Sequence, residues 1–329
     1  MAHQPLNASY DVAVLDLDGV VYVGRHAVEG AAKSLVEARD AGMHLAFVTN
    51  NAARPPADVA GHLVELGLPV GPEDVVTSAQ AAARLVAAQV PPRSRVYVIG
   101  GLGLEEALRE RDLVPVTSPA DEPIAVVQGY GPEMPWRQVI DGAILVKQGL
   151  PWVASNLDLT VPTERGPGPG NGALVDLVAR FAQREPEVAG KPEPPLFSET
   201  LARVGGSRPL VIGDRLDTDI DGAHRVGWDS LLVMTGVTTL AELAVVAPDR
   251  RPTYVGADLS CLAEPGETAT VEGGTASLGG WTATVTEGRL TMSGAGDRHS
   301  WWRAAAGALW AYLDATGSGA ETAGNFPPG

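Results

Sequence analysis

The amino-acid sequence predicts an α/β fold: a core domain with a parallel sheet, an α/β domain inserted into it, and a small α+β module at the C-terminal end. Short apolar runs alternate with stretches of helical spacing from residue 12 to residue 255, which is typical of parallel strands joined by crossover helices. The composition then changes, and four of the seven tryptophans fall within residues 281–310. We expect a core domain at 1–78 and 188–262, an inserted domain at 79–187 and a C-terminal module at 263–329.

The elements of the core domain are predicted from apolar runs and from helical stretches that end in glycine. Val12 to Leu15 is an unbroken apolar run, as in strands that are buried on both faces of a parallel sheet. Residues 29–41 have helical apolar spacing and end at Gly42, a suitable C-terminal cap. By the same criteria we predict further strands at 44–48, 75–77, 210–212, 231–234 and 254–255, and helices at 57–66, 221–226 and 240–247.

The inserted domain repeats this alternation. We predict helices at 79–89, 104–109, 136–147 and 173–183, and strands at 96–99, 124–127 and 152–154. Residues 166–172 read Gly-Pro-Gly-Pro-Gly-Asn-Gly and are predicted to form a loop. Gly100, Gly101 and Gly103 suggest a dinucleotide-binding turn, but Glu106 stands where that fingerprint needs its third glycine. A tight strand-to-helix turn is the preferred interpretation.

The C-terminal module is predicted to contain a hairpin and a helix. Residues 281–286 and 289–292 alternate around Glu287-Gly288, which is a hairpin signal, and Asp297 is a suitable helix N-cap. One face of the helix carries an apolar stripe: Trp302, Ala306, Leu309, Trp310 and Leu313. We interpret the stripe as the core of the module, and the alternative is a surface for a partner protein or for a homodimer. Residues 317–329 are predicted to be a mobile tail.

The charge and the cysteine content restrict the setting in which the protein works. The formal net charge is −16, whereas nucleic acid and anionic membranes both require a basic surface, so neither is expected as a partner. Cys261 is the single cysteine, which excludes an internal disulfide and fits a reducing cytoplasm. The first residues lack the basic start and apolar stretch of a signal peptide, and no apolar run approaches the length of a membrane span. We predict a cytoplasmic protein.

Four polar segments lie at the predicted carboxyl edge of the core sheet, where ligands bind in parallel sheets. They contribute Asp16 and Asp18; Thr49, Asn50 and Asn51; Lys191; and Asp214 and Asp219. The two carboxylates of the first segment repel each other, and a divalent cation would remove that repulsion. Each segment alone is ordinary, since such residues also form turns, helix caps and solvated loops. Their common placement predicts a single site.

These residue types suit phosphoryl transfer, which depends mainly on positioning and on the stabilisation of negative charge. Mg²⁺ prefers oxygen ligands, so Asp16, Asp18 and Asp214 are its predicted ligands. The metal would let the anionic Asp16 attack an anionic phosphate, while Asp18 would protonate the leaving alcohol and then activate water. The phosphate would be held by residues that donate hydrogen bonds or positive charge, namely Thr49, Asn50 and Lys191, and Asn51 is predicted as a further substrate contact.

The four segments resemble the four motifs of the haloacid dehalogenase-like superfamily, and most of all its type IIA branch. The matching runs are Asp16-Leu17-Asp18-Gly19-Val20, Val48-Thr49-Asn50-Asn51, Gly190-Lys191-Pro192 and the eight residues from Gly213 to Ile220. Asp-Gly-Val-Val-Tyr at 18–22 and Pro-Gly-x-Gly at 167–170 also match the branch. The resemblance spans about residues 10–256 and does not extend to the C-terminal module.

The resemblance implies a Rossmann-like core with a C2 cap domain inserted between the second and third motifs. It implies that Asp16 is the nucleophile and forms an aspartyl-phosphate, and that Asp18 is the acid and base. Magnesium would be bound by Asp16, by the main-chain carbonyl of Asp18 and by Asp214. Asp219 would lie behind these ligands and orient the metal site or Lys191.

The cap loop and the composition indicate the class of substrate. In the type IIA branch a cap loop leans over the site; in this sequence it corresponds to residues 156–165 and offers Asp158 as a substrate contact. The Arg-rich, Lys-poor composition suggests a high-GC bacterium, and a type IIA phosphatase with an extra C-terminal module is similar to actinobacterial glycerol 3-phosphate phosphatases. Glycerol 3-phosphate is therefore the preferred substrate. The alternative is phosphoglycolate, or a broad range of sugar and nitrophenyl phosphates.

Proteins of two other functional classes contain a similar set of residues. A signalling receiver combines acids, Thr and Lys in a similar way, but it would not place its acid pair and phosphorylated aspartate on one strand, nor contain the long insertion. The second is an inactive scaffold of the same superfamily that serves as a binding protein. It is disfavoured because every catalytic position is filled.

Overall fold

The computed structural model describes residues 4–24, 26–163 and 165–327 of the chain. Parts of three predictions therefore lie outside the described residues: Met1–His3 of the N-terminal stretch, Glu164 of the cap loop, and Pro328 and Gly329 of the tail. The chain divides into two compact units. One consists of the residues up to Leu45 together with those from Gly206 onward, and the other of Ala46–Gly205.

The first unit contains a parallel sheet whose strands are ordered Tyr254–Gly256, Asp229–Val233, Pro209–Gly213 and Val12–Leu15. All four residues of Val12–Leu15 are buried, as their unbroken apolar sequence predicts. The register sets Val12 opposite Pro209 and Leu15 opposite Ile212. These two strands therefore end at the same edge of the sheet, where Asp16 and Asp214 follow them.

Helices and short strands connect this sheet. The helices of the first unit are Leu6–Ser9, Ala31–Asp40, Asp221–Val226, Leu240–Leu243 and Arg298–Thr316, with 3-10 turns at Pro248–Arg250 and Leu259–Ala263 and a π-type turn at Leu216–Ile220. Tyr22–Val23 pairs with His26–Ala27 as a small antiparallel ribbon. The helix predicted for 240–247 is wrong in length. It ends at Leu243, and a 3-10 turn that begins at Pro248 follows.

The C-terminal residues form a four-stranded antiparallel sheet and a long helix, which include the predicted hairpin and the predicted helix. The sheet is ordered Thr270–Glu272, Thr275–Leu278, Trp281–Thr286 and Arg289–Gly294. Its first two strands were not predicted. Arg298–Thr316 buries Trp302 and Leu309 in a cluster to which the parallel sheet also contributes. The members from that sheet and its connections include Ile220, Leu232 and Val255. The interpretation of the stripe as core is confirmed, and this core is shared with the parallel sheet.

The second unit contains two sets of parallel strands. The end of His44–Thr49 pairs with Val75–Thr77. A five-stranded parallel sheet is ordered Glu187–Val188, Trp152–Ala154, Ala125–Gln128, Arg95–Ile99 and Val114–Val116. The helices are Pro56–Glu65, Ser78–Gln89, Leu102–Glu110, Trp136–Lys147, Asn171–Ala182 and Pro194–Val204, with 3-10 turns at Pro72–Asp74 and Pro119–Asp121. Among the helices of the described chain, none combines the length and the apolar character needed to cross a bilayer.

The predicted fold class, α/β with parallel sheets and an α+β C-terminal portion, is confirmed. The loop predicted for residues 166–172 is wrong. Gly166–Pro169 pairs antiparallel with Thr160–Thr163. The Gly and Pro content of a segment predicts a loop, because composition carries no information about which other segment pairs with it. The helix Pro194–Val204 was missed, although proline at the first helical position is a start signal.

Candidate active site

Asp16 and Asp18 follow the strand Val12–Leu15 in the first unit. The amide of Asp16 donates to the carbonyl of Ile212 at 2.8 Å, so the strand ladder continues to this residue. The chain then turns sharply, with the amides of residues 20–22 all within 3.3 Å of the carbonyl of Leu17. Asp16 is half-buried and Asp18 is exposed. This turn keeps both residues at the carboxyl edge of the parallel sheet.

Asp214 follows the neighbouring strand and is buried. Its Oδ2 accepts a hydrogen bond from the amide of Val237 at 2.7 Å. Its main-chain carbonyl accepts one from the hydroxyl of Thr238 at 2.6 Å. The loop after Asp229–Val233 therefore fixes both the backbone and the carboxylate of Asp214. Sequence reasoning did not identify this loop as part of the site.

The other two acidic residues of the same segment point in different directions. Asp219 is fully buried in the π-type turn, and its Oδ2 accepts a hydrogen bond from the amide of Arg215 at 3.2 Å. Asp217 is exposed and receives both Nε and Nη2 of Arg215, at 3.0 and 2.8 Å. These hydrogen bonds from Arg215 lower the pKa of Asp217. Asp219 therefore belongs to the interior and Asp217 to the surface.

Three carboxylates come together in the first unit. Oxygens of Asp16, Asp214 and Asp219 all lie within 4.8 Å of one another. Like charges at this range repel, and two of the three side chains are buried, so a bound cation would stabilise the group. A set of carboxylate oxygens fits a hard cation such as Mg²⁺.

Glycines leave the space that this carboxylate group occupies. A Cβ at Gly19 or Gly236 would overlap the carboxylate of Asp214. A Cβ at Gly213 would overlap the side chain of Asp219. A side chain at any of these three positions would therefore displace a carboxylate of the group.

Thr49 is the last residue of the strand His44–Thr49, Asn50 and Asn51 follow it, and all three lie in the second unit. Thr49 and Asn50 are buried and Asn51 is exposed. The amide of Asn51 donates to the Thr49 hydroxyl at 3.1 Å, and Asn51 Oδ1 accepts the amide of Ala53 at 2.8 Å. The segment is therefore a tight turn whose side chains and amides stabilise one another.

The second unit brings Asn50, Lys191 and Asp158 together. The Asn50 carboxamide contacts the backbone of Lys191 twice: its Oδ1 accepts the Lys191 amide at 2.8 Å, and its Nδ2 donates to the Lys191 carbonyl at 3.1 Å. Asn50 Nδ2 also donates to Asp158 Oδ1 at 3.2 Å. Lys191 is buried. The buried carboxamide thus fixes the backbone of the predicted phosphate-binding lysine.

The sequence is similar to known protein families and to named proteins. Residues 13–114 match the family model of haloacid dehalogenase-like hydrolases, and residues 188–262 match a second model of hydrolases of this type. The D-glycerol 3-phosphate phosphatase of Mycobacterium tuberculosis is 43% identical over 288 residues, which cover 88% of this chain and 80% of that protein. This chain belongs to the haloacid dehalogenase-like hydrolases. The resemblance stated from the sequence motifs is therefore confirmed.

This haloacid dehalogenase-like hydrolase is similar to further phosphatases. An acid sugar phosphatase of Staphylococcus aureus is 35% identical over 254 residues, which cover 76% of this chain and 96% of that protein. A crystal structure of the glycerol phosphate phosphatase of M. tuberculosis in complex with magnesium superposes with a TM-score of 0.84 at 41% identity, covering 94% of this chain and 93% of that one. The similarity to the M. tuberculosis protein extends beyond the part of the chain that the four motifs span.

Sequence reasoning missed two buried asparagines of this haloacid dehalogenase-like hydrolase. Asn156 and Asn171 are both buried and both hydrogen bond within the second unit. A signal for Asn156 was present, because it follows the predicted strand at 152–154 just as Asn50 follows its own strand. The rule that ligands meet the carboxyl ends of parallel strands holds for this strand as well.

Proposed function

We propose that this protein is a magnesium-dependent phosphoric monoester hydrolase whose preferred substrate is glycerol 3-phosphate. The observation that carries the proposal is the group formed by Asp16, Asp214 and Asp219 at the ends of adjacent parallel strands. Such a group is unfavourable without a cation, and with one it suits phosphoryl transfer. The named relatives, all phosphatases, support the same chemistry.

In the proposed reaction Asp16 attacks the phosphorus atom. A bond forms between an Asp16 carboxylate oxygen and phosphorus, the ester bond breaks, and Asp18 gives its proton to the departing alkoxide. Asp18 then takes a proton from water, whose oxygen attacks the aspartyl-phosphate and releases inorganic phosphate and free Asp16. Each turnover thus consumes one ester and one water.

The remaining roles are electrostatic. Bound Mg²⁺ offsets the repulsion between carboxylates and phosphate, and Asp16, Asp214 and the main-chain carbonyl of Asp18 are the proposed ligands. Asp219 orients the metal site. The phosphate is held by the Thr49 hydroxyl, the Asn50 amide and the Lys191 ammonium, with Asn51 stabilising the turn.

Glycerol 3-phosphate is proposed as the substrate because the relative with that name matches 88% of this chain, including part of the C-terminal portion. The acid sugar phosphatase matches a shorter part of it. Asp158, hydrogen bonded to Asn50 at 3.2 Å, is the proposed contact for the alcohol part of the ester.

The proposal includes a cytoplasmic setting and no macromolecular ligand. A single cysteine fits a reducing compartment, and a net charge of −16 disfavours nucleic acid and anionic lipid. The sequence left a homodimer open through the tryptophan stripe, but Trp302 and Leu309 lie in the core. If the protein forms a homodimer, another surface joins the subunits.

A screen of phosphate release tests the proposed function. The purified protein is assayed with Mg²⁺ on glycerol 3-phosphate, phosphoglycolate, glucose 6-phosphate and nitrophenyl phosphate. We expect kcat/KM for glycerol 3-phosphate to exceed the others by at least tenfold, which corresponds to about 1.4 kcal/mol of transition-state discrimination. A higher value for another ester would overturn the substrate assignment, and no release from any ester would overturn the phosphatase assignment.

A further inference from the structure

Asn156 lies at the centre of a buried set of hydrogen bonds in the second unit. Its Nδ2 donates to the main-chain carbonyl of Asn50 at 2.7 Å, and its Oδ1 accepts the amide of Asp158 at 3.1 Å. Its own carbonyl accepts Nδ2 of Asn171 at 2.7 Å. Only 4% of the residue is exposed. The nitrogen of its carboxamide therefore bonds to the turn after His44–Thr49, and the oxygen bonds to the cap loop.

These bonds close a ring of contacts with those of Asn50. Asn50 Nδ2 donates to Asp158 Oδ1, while the Asp158 amide donates to Asn156 Oδ1. Asp158 is thus held at its backbone by Asn156 and at its side chain by Asn50. Asn50 in turn fixes the backbone of Lys191 from both sides. Asn50 therefore fixes both Asp158 and Lys191. Asn156 contacts Asn50 and Asp158 and so holds the same arrangement.

The packing around the ring is tight. A Cβ at Gly190 would lie 2.6 Å from Asn50 Oδ1 and 3.0 Å from Asn156 Cβ. Buried amide groups that are fully hydrogen bonded stabilise one arrangement, because any other would leave donors or acceptors unsatisfied. These hydrogen bonds and the tight packing therefore hold Asp158 in one position, although it lies in a loop.

We propose that Asn156 is a positioning residue that sets the discrimination between phosphate esters. It holds Asp158 in register with the segment that carries Asn50 and Lys191. The proposal rests on the proposed function, in which Lys191 holds the phosphate and Asp158 contacts the alcohol part. A displacement of about 1 Å at such a contact is enough to change rates by about 100-fold.

The chain offers a way to test this without unfolding it. The hydroxyl of Ser78 also donates to the Asn50 carbonyl, at 2.5 Å, so this buried acceptor keeps a donor when Asn156 is replaced. The bond from Asn171 goes to the main-chain carbonyl of Asn156 and survives any side-chain change. Asn156→Leu therefore loses the bond from the Asp158 amide, the bond to the Asn50 carbonyl and the bond from Nδ2 to the buried Ser155 hydroxyl at 3.2 Å.

The test compares Asn156→Leu with wild type on glycerol 3-phosphate and on nitrophenyl phosphate. We expect the ratio of kcat/KM for the two esters to fall by roughly tenfold or more, mainly through KM for glycerol 3-phosphate. Gln138→Leu is the matched control, because Gln138 Nε2 donates to a main-chain carbonyl of the same unit, that of Val98, at 2.6 Å. Its ratio should stay at the wild-type value.

Asn156→Ser keeps a hydroxyl that can accept the Asp158 amide but is too short to reach Asn50 as the carboxamide does. We expect it to recover part of the lost ratio, and it takes the place of Asn156→Leu if that variant does not fold. An unchanged ratio in a folded Asn156 variant, or an equal loss on both esters, would overturn the positioning role while leaving the phosphatase assignment intact. A wild-type protein that releases no phosphate would instead overturn the proposed function and this inference with it.

Discussion

Gly19 and the carboxylate of Asp214 occupy adjoining space that no side chain at position 19 could share. A Cβ on Gly19 would overlap the Asp214 carboxylate, and Gly19 has a left-handed φ of +84°. The carbonyl of Gly19 accepts the hydroxyl of Thr235 at 2.5 Å. The turn after the proposed nucleophile therefore packs against a proposed metal ligand, Asp214, which follows the neighbouring strand.

Gly19→Ala should disable the site. The new methyl group must displace the Asp214 carboxylate, and a displacement of about 1 Å costs on the order of 100-fold in rate. The measurement is kcat/KM for phosphate release together with the free energy of unfolding. Gly30→Ala is the control, since Gly30 has φ +75° but no atom within 4 Å of its Cβ position. It should cost only about 1 kcal/mol of stability, with activity retained. Equal activity in both variants would contradict the steric account.

Asp214→Asn should abolish stabilisation by magnesium. In wild type, we expect Mg²⁺ to bind the folded state and raise the melting temperature, and EDTA to remove both this effect and the activity. In the variant one of three clustered negative charges is gone, so the metal-free protein should melt higher than wild type and respond little to Mg²⁺. Asp217→Asn, at an exposed carboxylate paired with Arg215, should respond to Mg²⁺ as wild type does. Loss of the response in Asp217→Asn with its retention in Asp214→Asn would contradict the ligand assignment.

The stability of the C-terminal helix should depend on pH through Asp297. Burial tends to raise the pKa of Asp297, but hydrogen bonds from the hydroxyl and amide of Ser300, at 2.6 and 2.8 Å, outweigh it and lower the pKa. The stabilisation is therefore present above the ordinary aspartate pKa of about 3.9 and is lost as the pH falls through the lower folded value. Asp297→Ala should reduce the free energy of unfolding by about 1 kcal/mol at neutral pH.

Asp297→Asn provides the control for this titration. Asparagine caps a helix about as well as aspartate but carries no titratable group. Denaturant unfolding as a function of pH should show the gap between wild type and Asp297→Ala closing in acid, while the gap between Asp297→Asn and Asp297→Ala stays constant. A gap of wild type over Asp297→Ala that does not change with pH would refute the role of the charged carboxylate.

The parts of the fold that follow from local pattern were predictable. Val12–Leu15 is an unbroken apolar run and is a buried strand, and the predicted helix at 136–147 is found at Trp136–Lys147. The hairpin of Gly166–Pro169 was not predictable in this way, because its pairing with Thr160–Thr163 is a relation between two segments. The shared core of the C-terminal helix and the parallel sheet was missed for the same reason. A helical stripe shows that a face is buried but not which residues bury it.

The residues of the candidate site likewise fall into those that the local sequence could identify and those whose role depends on contacts with distant segments. Asp16 and Asp214 could be singled out because charged residues that end buried strands are costly without a purpose. Asn156 could not be assigned its contacts, because an asparagine in a loop is most often a turn residue. Only the structure places its carboxamide between Asn50 and Asp158. Likewise, the space that Gly19 leaves for Asp214 has no sequence signal beyond the glycine itself.

The central claim, that Asp16 becomes phosphorylated during turnover, is tested most directly by trapping the enzyme on nitrophenyl phosphate carrying ³²P, because nitrophenolate leaves without a proton from Asp18. Asp18→Asn lacks the base that activates water, so acid quenching of this variant should recover a hydroxylamine-sensitive label on the peptide that contains Asp16. Asp16→Asn should carry no label and release no phosphate while still folding. Phosphate release by Asp16→Asn, or label on a peptide without Asp16, would contradict the account.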